Sequence, residues 1–249
     1  AALVCMITAH IPASAGENWN TWSNGNYILD IVPDGDALWC ATPGGLVLWD
    51  THNGTSRKYM TKDGLAGNTV NALSRDKNGL MWIGTDSGIS VFSGYKWSTF
   101  TEKDGLANNT VLSCAIDLQG IKWFGTADGV SSCNGVFWNT YRRENGLANN
   151  MVGDIAVDRN GVKWFATMAG VSSFDGRSWK TYTARNGLIS DNVVAVAVAP
   201  DNTLWFGTES GVSSFDGSSW TGYTRRDGLL SDNVRSIAAD SSGRIWVGT

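Results

Sequence analysis

The sequence predicts an all-β chain assembled from one repeated sheet unit, and three observations carry that expectation. Trp82, Trp123, Trp164, Trp205 and Trp246 stand 41 residues apart. Gly64, Gly105, Gly146, Gly187 and Gly228 keep the same step, each followed by leucine. A second tryptophan series, Trp97, Trp138, Trp179 and Trp220, repeats it again. Self-similarity at about 40–45 residues marks four-stranded blades arranged around an axis. The expected architecture is a β-propeller of four-stranded antiparallel blades, with five full blades plus a partial sixth. Their approximate bounds are 26–60, 68–100, 109–141, 150–182, 191–223 and 232–249.

The elements follow in chain order. Residues 1–15 read as a clipped signal peptide: Ala1 to Ile11 is a short apolar run, and Ala13-x-Ala15 before Gly16 resembles a cleavage site. An N-terminal strand is the other reading of this run, which is too short to span a membrane. Trp19-Asn20-Thr21-Trp22 matches the strand-d pattern Trp97-Ser98-Thr99-Phe100 and reads as a strand of the closing blade. Trp39 belongs to a first copy whose offset of 43 reflects a longer c–d turn. The second copy shows all four strands. Thr69 to Ser74 alternates as strand a, and Leu80 to Thr85 is strand b. Ile89 to Phe92 is strand c, and Lys96 to Phe100 is strand d. Asp76-Lys77-Asn78-Gly79 turns a into b. Ser93-Gly94, and later Asn134-Gly135, Asp175-Gly176 and Asp216-Gly217, suggest two-residue hairpins of type I′. No segment keeps a 3.6-residue apolar period, so no helix is expected. The last copy stops after strand b at Thr249, which suggests a fragment of a longer propeller protein; a six-bladed ring closed by residues 1–6 and 17–22 is the alternative.

Both tryptophan series read as structural wedges between blades, and the small Gly84 that follows Trp82 allows close sheet approach. In other copies Ala41 and Ala166 take that glycine's place.

Composition narrows the function. The formal charge of −4 and the absence of a recognised module argue against nucleic acid. Four cysteines without paired spacing and two histidines leave little for a metal site or a nucleophile, so no cofactor is expected. No carboxylate pair stands out as acid and base, and the chain reads as a non-enzyme. Ser74-x-Asp76-x-x-Gly79-x-x-Trp82 resembles the Asp-box of sialidases, but the spacing is one residue longer and it lies between strands a and b.

Asp-Gly-Leu, then Asn-x-Val, then Asp-x-x-Gly-x-x-Trp-x-Gly-Thr, then Gly-Val recur in order, most clearly over Asp63 to Ile89 and Asp104 to Val130. This pattern, covering 16–249, resembles the two-component-regulator propeller repeat. Departures are Ala199 for the turn aspartate, Asn202 for the turn glycine and Ala166 for the strand-b glycine. The resemblance implies an extracytoplasmic sensor domain of the kind found in hybrid histidine kinases that respond to glycans. It equally implies a periplasmic or extracellular location, with a kinase module downstream in the full-length protein. Surface or secretion-associated propellers of the family imply a structural or protein-interaction role as the alternative, and a propeller lyase or hydrolase is a third.

Strand direction alternates, so the d–a and b–c loops share one face and ring the channel mouth, the default place for a ligand. The candidate ligand-binding residues lie there. Lys62, Lys103, Arg185 and Arg226 form a basic series two residues before the loop glycine, where the third copy has Glu144. Asn68, Asn109, Asp191 and Asp232 stand before strand a, as does Asn150, and Asn192 comes next to them. Arg235 is an unusual charge within strand a. The expectation is a polar ring, basic outside, that binds an oligosaccharide or other anionic polar ligand. The competing reading makes the Asn/Asp series turn caps and the basic series solvated surface.

Overall fold

The computed structural model describes residues 27–249. The expectations for residues 1–15 and for Trp19–Trp22 lie outside the described residues. Within them the chain is all-β, with five sheets of four antiparallel strands and one of two strands. In blade 1 the strands are Asp30–Asp34, Ala37–Thr42, Gly45–Asp50 and Ser56–Tyr59, running a to d. Blade 2 repeats them as Val70–Arg75, Met81–Thr85, Gly88–Phe92 and Trp97–Phe100. The inner strands a of blades 3 to 6 are Val111–Ile116, Val152–Val157, Val193–Val198 and Ser236–Ala239. In blade 6 that strand pairs with Ile245–Gly248.

The repeated residues explain the repeated geometry. In the a–b turn, Asp76 Oδ1 accepts the Asn78 and Leu80 N–H groups while Oδ2 accepts the Trp82 indole N–H at 3.2 Å. Asp117 does the same for Trp123 and Asp158 for Trp164, and all three carboxylates are buried. The motif thus welds a turn to an aromatic wedge. Trp82 stacks on Phe100 of its own blade and meets Phe124 of the next at 5.8 Å between centroids. Trp123 and Trp164 repeat this against Phe165 and Phe206. In the second series Trp97 stacks on Phe92 at 4.4 Å and Trp138 meets Phe124 at 5.8 Å, so both series pack within the four-stranded blades, whereas Trp246 of the two-stranded blade is 61% exposed. The strand-b glycine is explained by its neighbour: a Cβ on Gly84 would lie 2.6 Å from Val111 Cγ1 of the next blade.

Two local expectations need correction. The c–d hairpins are not type I′, which requires positive φ at both central residues. Only the glycines Gly94, Gly135, Gly176 and Gly217 take positive φ there. The connection is four residues long in blade 2, closed by Ser93 N–H donating to the Lys96 carbonyl at 3.1 Å. An Asx turn supplies the rest in later blades, as Asp175 Oδ1 accepts from Arg177 and Ser178 N–H. Second, each d–a loop holds a single 3-10 turn, starting with Thr61–Asp63, where no helix was expected. Three residues cannot display an apolar period, so periodicity is blind to them. Gly64, at φ 119°, ends the first turn in the left-handed region. The strand ends also shift by one residue in blade 2, where the register slips between Val70 and Ala72.

Candidate functional site

The d–a loops are held by a fixed set of bonds. Asp63 Oδ2 accepts the Met60 N–H, and Asn68 Oδ1 accepts the Thr61 N–H at 2.9 Å. Asn109, Asn150, Asp191 and Asp232 make the same bond to Glu102, Arg143, Ala184 and Arg225. Below them a fully buried strand-c serine accepts a loop N–H: Ser90 from Ala66, Ser131 from Ala107, Ser172 from Ala148 and Ser213 from Ile189. The Asn/Asp series thus spends a side-chain oxygen inside each loop, which is the turn-capping role. Lys62, Lys103, Arg185 and Arg226 are exposed on the 3-10 turns. None of them forms an ion pair among the described residues. Arg226 shares an open depression with Arg225, Thr224 and Asp232.

The structure separates these outer residues from a recess at the channel mouth. Leu112, Met151, Gly153, Met168, Asn192, Val193, Val194 and Arg235 line it, in a volume of about 360 Å³. Strand starts of blades 3 to 6 and the b–c loop of blade 4 build it. Two methionines are exposed to solvent, Met151 by 41% and Met168 by 57%. Burying either side chain under a ligand therefore removes apolar area from water. Arg235, also exposed, has no carboxylate partner among the described residues. Asn192 is oriented by its Nδ2 donating to Glu209 Oε2 at 2.9 Å. Of the sequence candidates, Asn192 and Arg235 come together here, whereas Lys62, Lys103 and Arg185 do not line the recess.

Sequence reasoning missed Met168 and did not single out Met151, though a signal existed. The positions equivalent to Met168 hold Pro43, Asp86, Ala127 and Glu209, and those equivalent to Met151 hold Thr69, Thr110, Asn192 and Asn233. A large apolar residue at both loop positions of one copy is the departure.

Leu112 and Gly153 also belong to the wall of the central channel, where all six inner strands meet around a cavity of about 260 Å³. Asp30 and Asp154 line it and were likewise missed. Asp30 accepts the Ile31 and Leu73 N–H groups, and Asp154 those of Ile155 and Val196. Burial pushes Asp30 up to about 6 despite these bonds, and the Asp154 charge adds to the rise. Burial also raises Asp154 and the Cys114 thiol.

The comparisons with known proteins join this geometry. The profile described as Two component regulator propeller matches residues 64–87, 187–210 and 228–249, each running from a d–a loop through strand b. Three copies of the repeat in this chain therefore match the two-component regulator propeller family. No curated protein matches it. Among solved structures, the extracellular domain assigned to the hybrid two-component system BT3049 of B. thetaiotaomicron is 22% identical, with a TM-score of 0.79 over 89% of this chain and 32% of that one. PorZ, a surface component of the type-IX secretion system of Porphyromonas gingivalis, is 19% identical, with a TM-score of 0.70 over 89% of this chain and 37% of that one. A virginiamycin B lyase from Staphylococcus aureus is 13% identical, with a TM-score of 0.71 over 90% and 77%. At these identities the likeness is one of fold. This chain spans about a third of the length of the BT3049 domain. No described helix is long and apolar enough to cross a membrane.

Proposed function

We propose that this propeller is a non-catalytic recognition domain working outside the cytoplasm, periplasmic or extracellular. Its ligand is an oligosaccharide carrying an anionic group, taken at the recess on the d–a and b–c face. The observation that carries this reading is one exposed guanidinium, Arg235, beside two exposed thioethers, Met151 and Met168. A guanidinium grips a carboxylate or sulfate through two parallel N–H bonds. The C–H face of a sugar ring packs on flexible thioethers. Asn192 supplies an amide for a hydroxyl, and the outer lysines and arginines raise the local anion concentration. In the full-length protein the binding event is read by a downstream signalling module, which the family and the BT3049 likeness support. A lyase or hydrolase needs an acid and a base at the reacting bond. The recess offers an arginine, an asparagine and thioethers instead.

The test is calorimetric titration with an oligogalacturonate and with a neutral glucan of equal length. The acidic sugar should bind, and Arg235→Glu should weaken it at least tenfold, as should Met168→Asp. Equal binding of both sugars, or binding indifferent to Arg235→Glu, overturns the reading.

A further inference from the structure

We propose that a groove between blades 3 and 4, on the face opposite the recess, binds the acetamido group of a neutral N-acetylated sugar. The groove has a volume of about 400 Å³, and small-molecule sites run from about 300 to about 1,000 Å³. Trp123 of blade 3 and Phe174 of blade 4 form its floor, and the a–b turns and c–d loops of both blades form its walls. It shares no residue with the recess.

The first observation is a buried cation. Lys163 opens strand b of blade 4, Lys163–Thr167, lines the groove and is 5% exposed. The same place before the tryptophan is apolar in four other blades, with Leu38, Met81, Leu204 and Ile245. In blade 3 it is Lys122, which reaches Asp76 Oδ2 at 3.7 Å. Lys163 forms no ion pair among the described residues. Its ammonium donates to the Gly161 carbonyl at 3.0 Å and stands 5.3 and 5.5 Å from the ring centres of Trp123 and Phe174. The rings offset its charge. The carbonyl engages one of three N–H donors.

The second observation is a hydroxyl. Ser132 pairs with Trp123 on one side and Asn139 on the other, so these three side chains share the side of blade 3 that faces blade 4. Ser132 lines the groove and is 3% exposed, and its hydroxyl has no hydrogen-bond partner among the described residues. A hydroxyl this deep wants a partner, and a ligand in the groove provides one.

Donors and acceptors select the ligand. The acceptors of the groove are already engaged. Asp117 takes two backbone N–H groups and the Trp123 indole, and Asp175 takes two backbone N–H groups and the Ser178 hydroxyl. Asn134 Oδ1 accepts the Val136 and Phe137 N–H groups, which leaves its Nδ2 as a donor. Lys163, Ser132 and Asn134 therefore offer donors to an incoming acceptor. Two carboxylates beside one ammonium oppose an anion, so that acceptor is neutral. An amide carbonyl matches the partner Lys163 already has. The acetamido methyl packs on the aromatic floor, and sugar hydroxyls meet Asn139 and Asn160, whose amides both donate and accept.

The experiment is calorimetric titration with N,N′-diacetylchitobiose and with cellobiose, which has the same linkage and no acetamido group. The acetylated disaccharide should bind with a stoichiometry of one, and cellobiose at least tenfold more weakly. Met81 and Val91 occupy the equivalent places in blade 2, so Lys163→Met and Ser132→Val suit the fold. Lys163→Met should reduce the affinity at least tenfold, and Ser132→Val several-fold. Circular dichroism and gel filtration verify folding, and if Lys163→Met does not fold, Ser132→Val decides. Absence of saturable binding by the acetylated disaccharide, equal binding of cellobiose, or undiminished affinity in a folded variant overturns the proposal. Oligogalacturonate binding at the recess is measured on the same proteins and should be unchanged by both substitutions, so failure of the groove and failure of the recess are read separately.

Discussion

Replacing Asp117 by alanine tests whether the aspartate–tryptophan weld, rather than tryptophan packing alone, holds a blade. Asp117 Oδ1 accepts the Gln119 and Ile121 N–H groups at 3.0 and 2.9 Å, and Oδ2 accepts the Trp123 indole N–H at 2.9 Å. Gln119 is exposed, so its N–H finds water; the Ile121 N–H is sheltered and the Trp123 indole is buried. Losing a charged acceptor costs about 1.5–3 kcal/mol per sheltered donor, so Asp117→Ala should destabilise the chain by about 3–6 kcal/mol. Asp117→Asn keeps one oxygen and should cost about half as much, by the same reasoning. Blade 5 performs the experiment in reverse. Ala199 stands where the aspartate would be, and Trp205 is only half-buried. Ala199→Asp should add about 1 kcal/mol if the new carboxylate reaches the indole. Urea unfolding followed by tryptophan fluorescence measures all three. A loss below about 1 kcal/mol for Asp117→Ala would refute the assignment, because two sheltered donors cannot lose a charged partner so cheaply.

Three further outcomes follow from the same structure. Asp30 rises from 3.8 to about 6, so its protonated form is the one the fold prefers. Its contribution is fully present below about pH 3.8 and lost as pH climbs through 6, up to about 3 kcal/mol at 1.36 kcal/mol per unit. Stability of the parent chain relative to Asp30→Asn should therefore fall between pH 4 and pH 7, and a flat difference in urea midpoints would contradict it. Gly105→Ala places a Cβ 2.7 Å from Trp138 Cβ at φ 112° and should cost about 2–4 kcal/mol, as strain and overpacking combine. Gly94→Ala, at φ 95° with open space, should cost about 1 kcal/mol in the same denaturation assay. Ser172→Ala removes the acceptor of the Ala148 N–H and should cost about 1–3 kcal/mol. Hydrogen exchange should show the Ala148 amide losing protection while strand a of blade 2 keeps its own.

The blades were legible because their determinants are local and repeated. Asp76, Gly79 and Trp82 meet within one turn and one strand, and recurrence of the motif at a single spacing separates it from chance. The aromatic wedges and the Gly84 contact with Val111 were legible too, since radial packing demands a small residue beside a large one. The 3-10 turns were not, being shorter than any period. Nor were the four-residue c–d loops, where Asp175 satisfies backbone groups without taking a positive φ itself. At the candidate site, sequence reasoning reached Asn192 and Arg235 but ranked them with Lys62, Lys103 and Arg185, because all sit near loop boundaries. Only the packing of the inner strands side by side shows which of these neighbour one another.

The sequence by itself determined the all-β blade, its period and the repeat family it resembles, because each strand, turn and wedge is specified within one copy. Tertiary structure decided where copies that differ are brought together. Met151, Met168, Asn192 and Arg235 span 85 positions, Arg235 minus Met151 counted inclusively, yet line one recess. Asp30 and Asp154 stand three blades apart in sequence and share one channel. A repeat places equivalent residues on one circle, but which two face the same cavity is fixed by the angle between blades. That angle arises from side chains packing across the blades, and no single copy contains it.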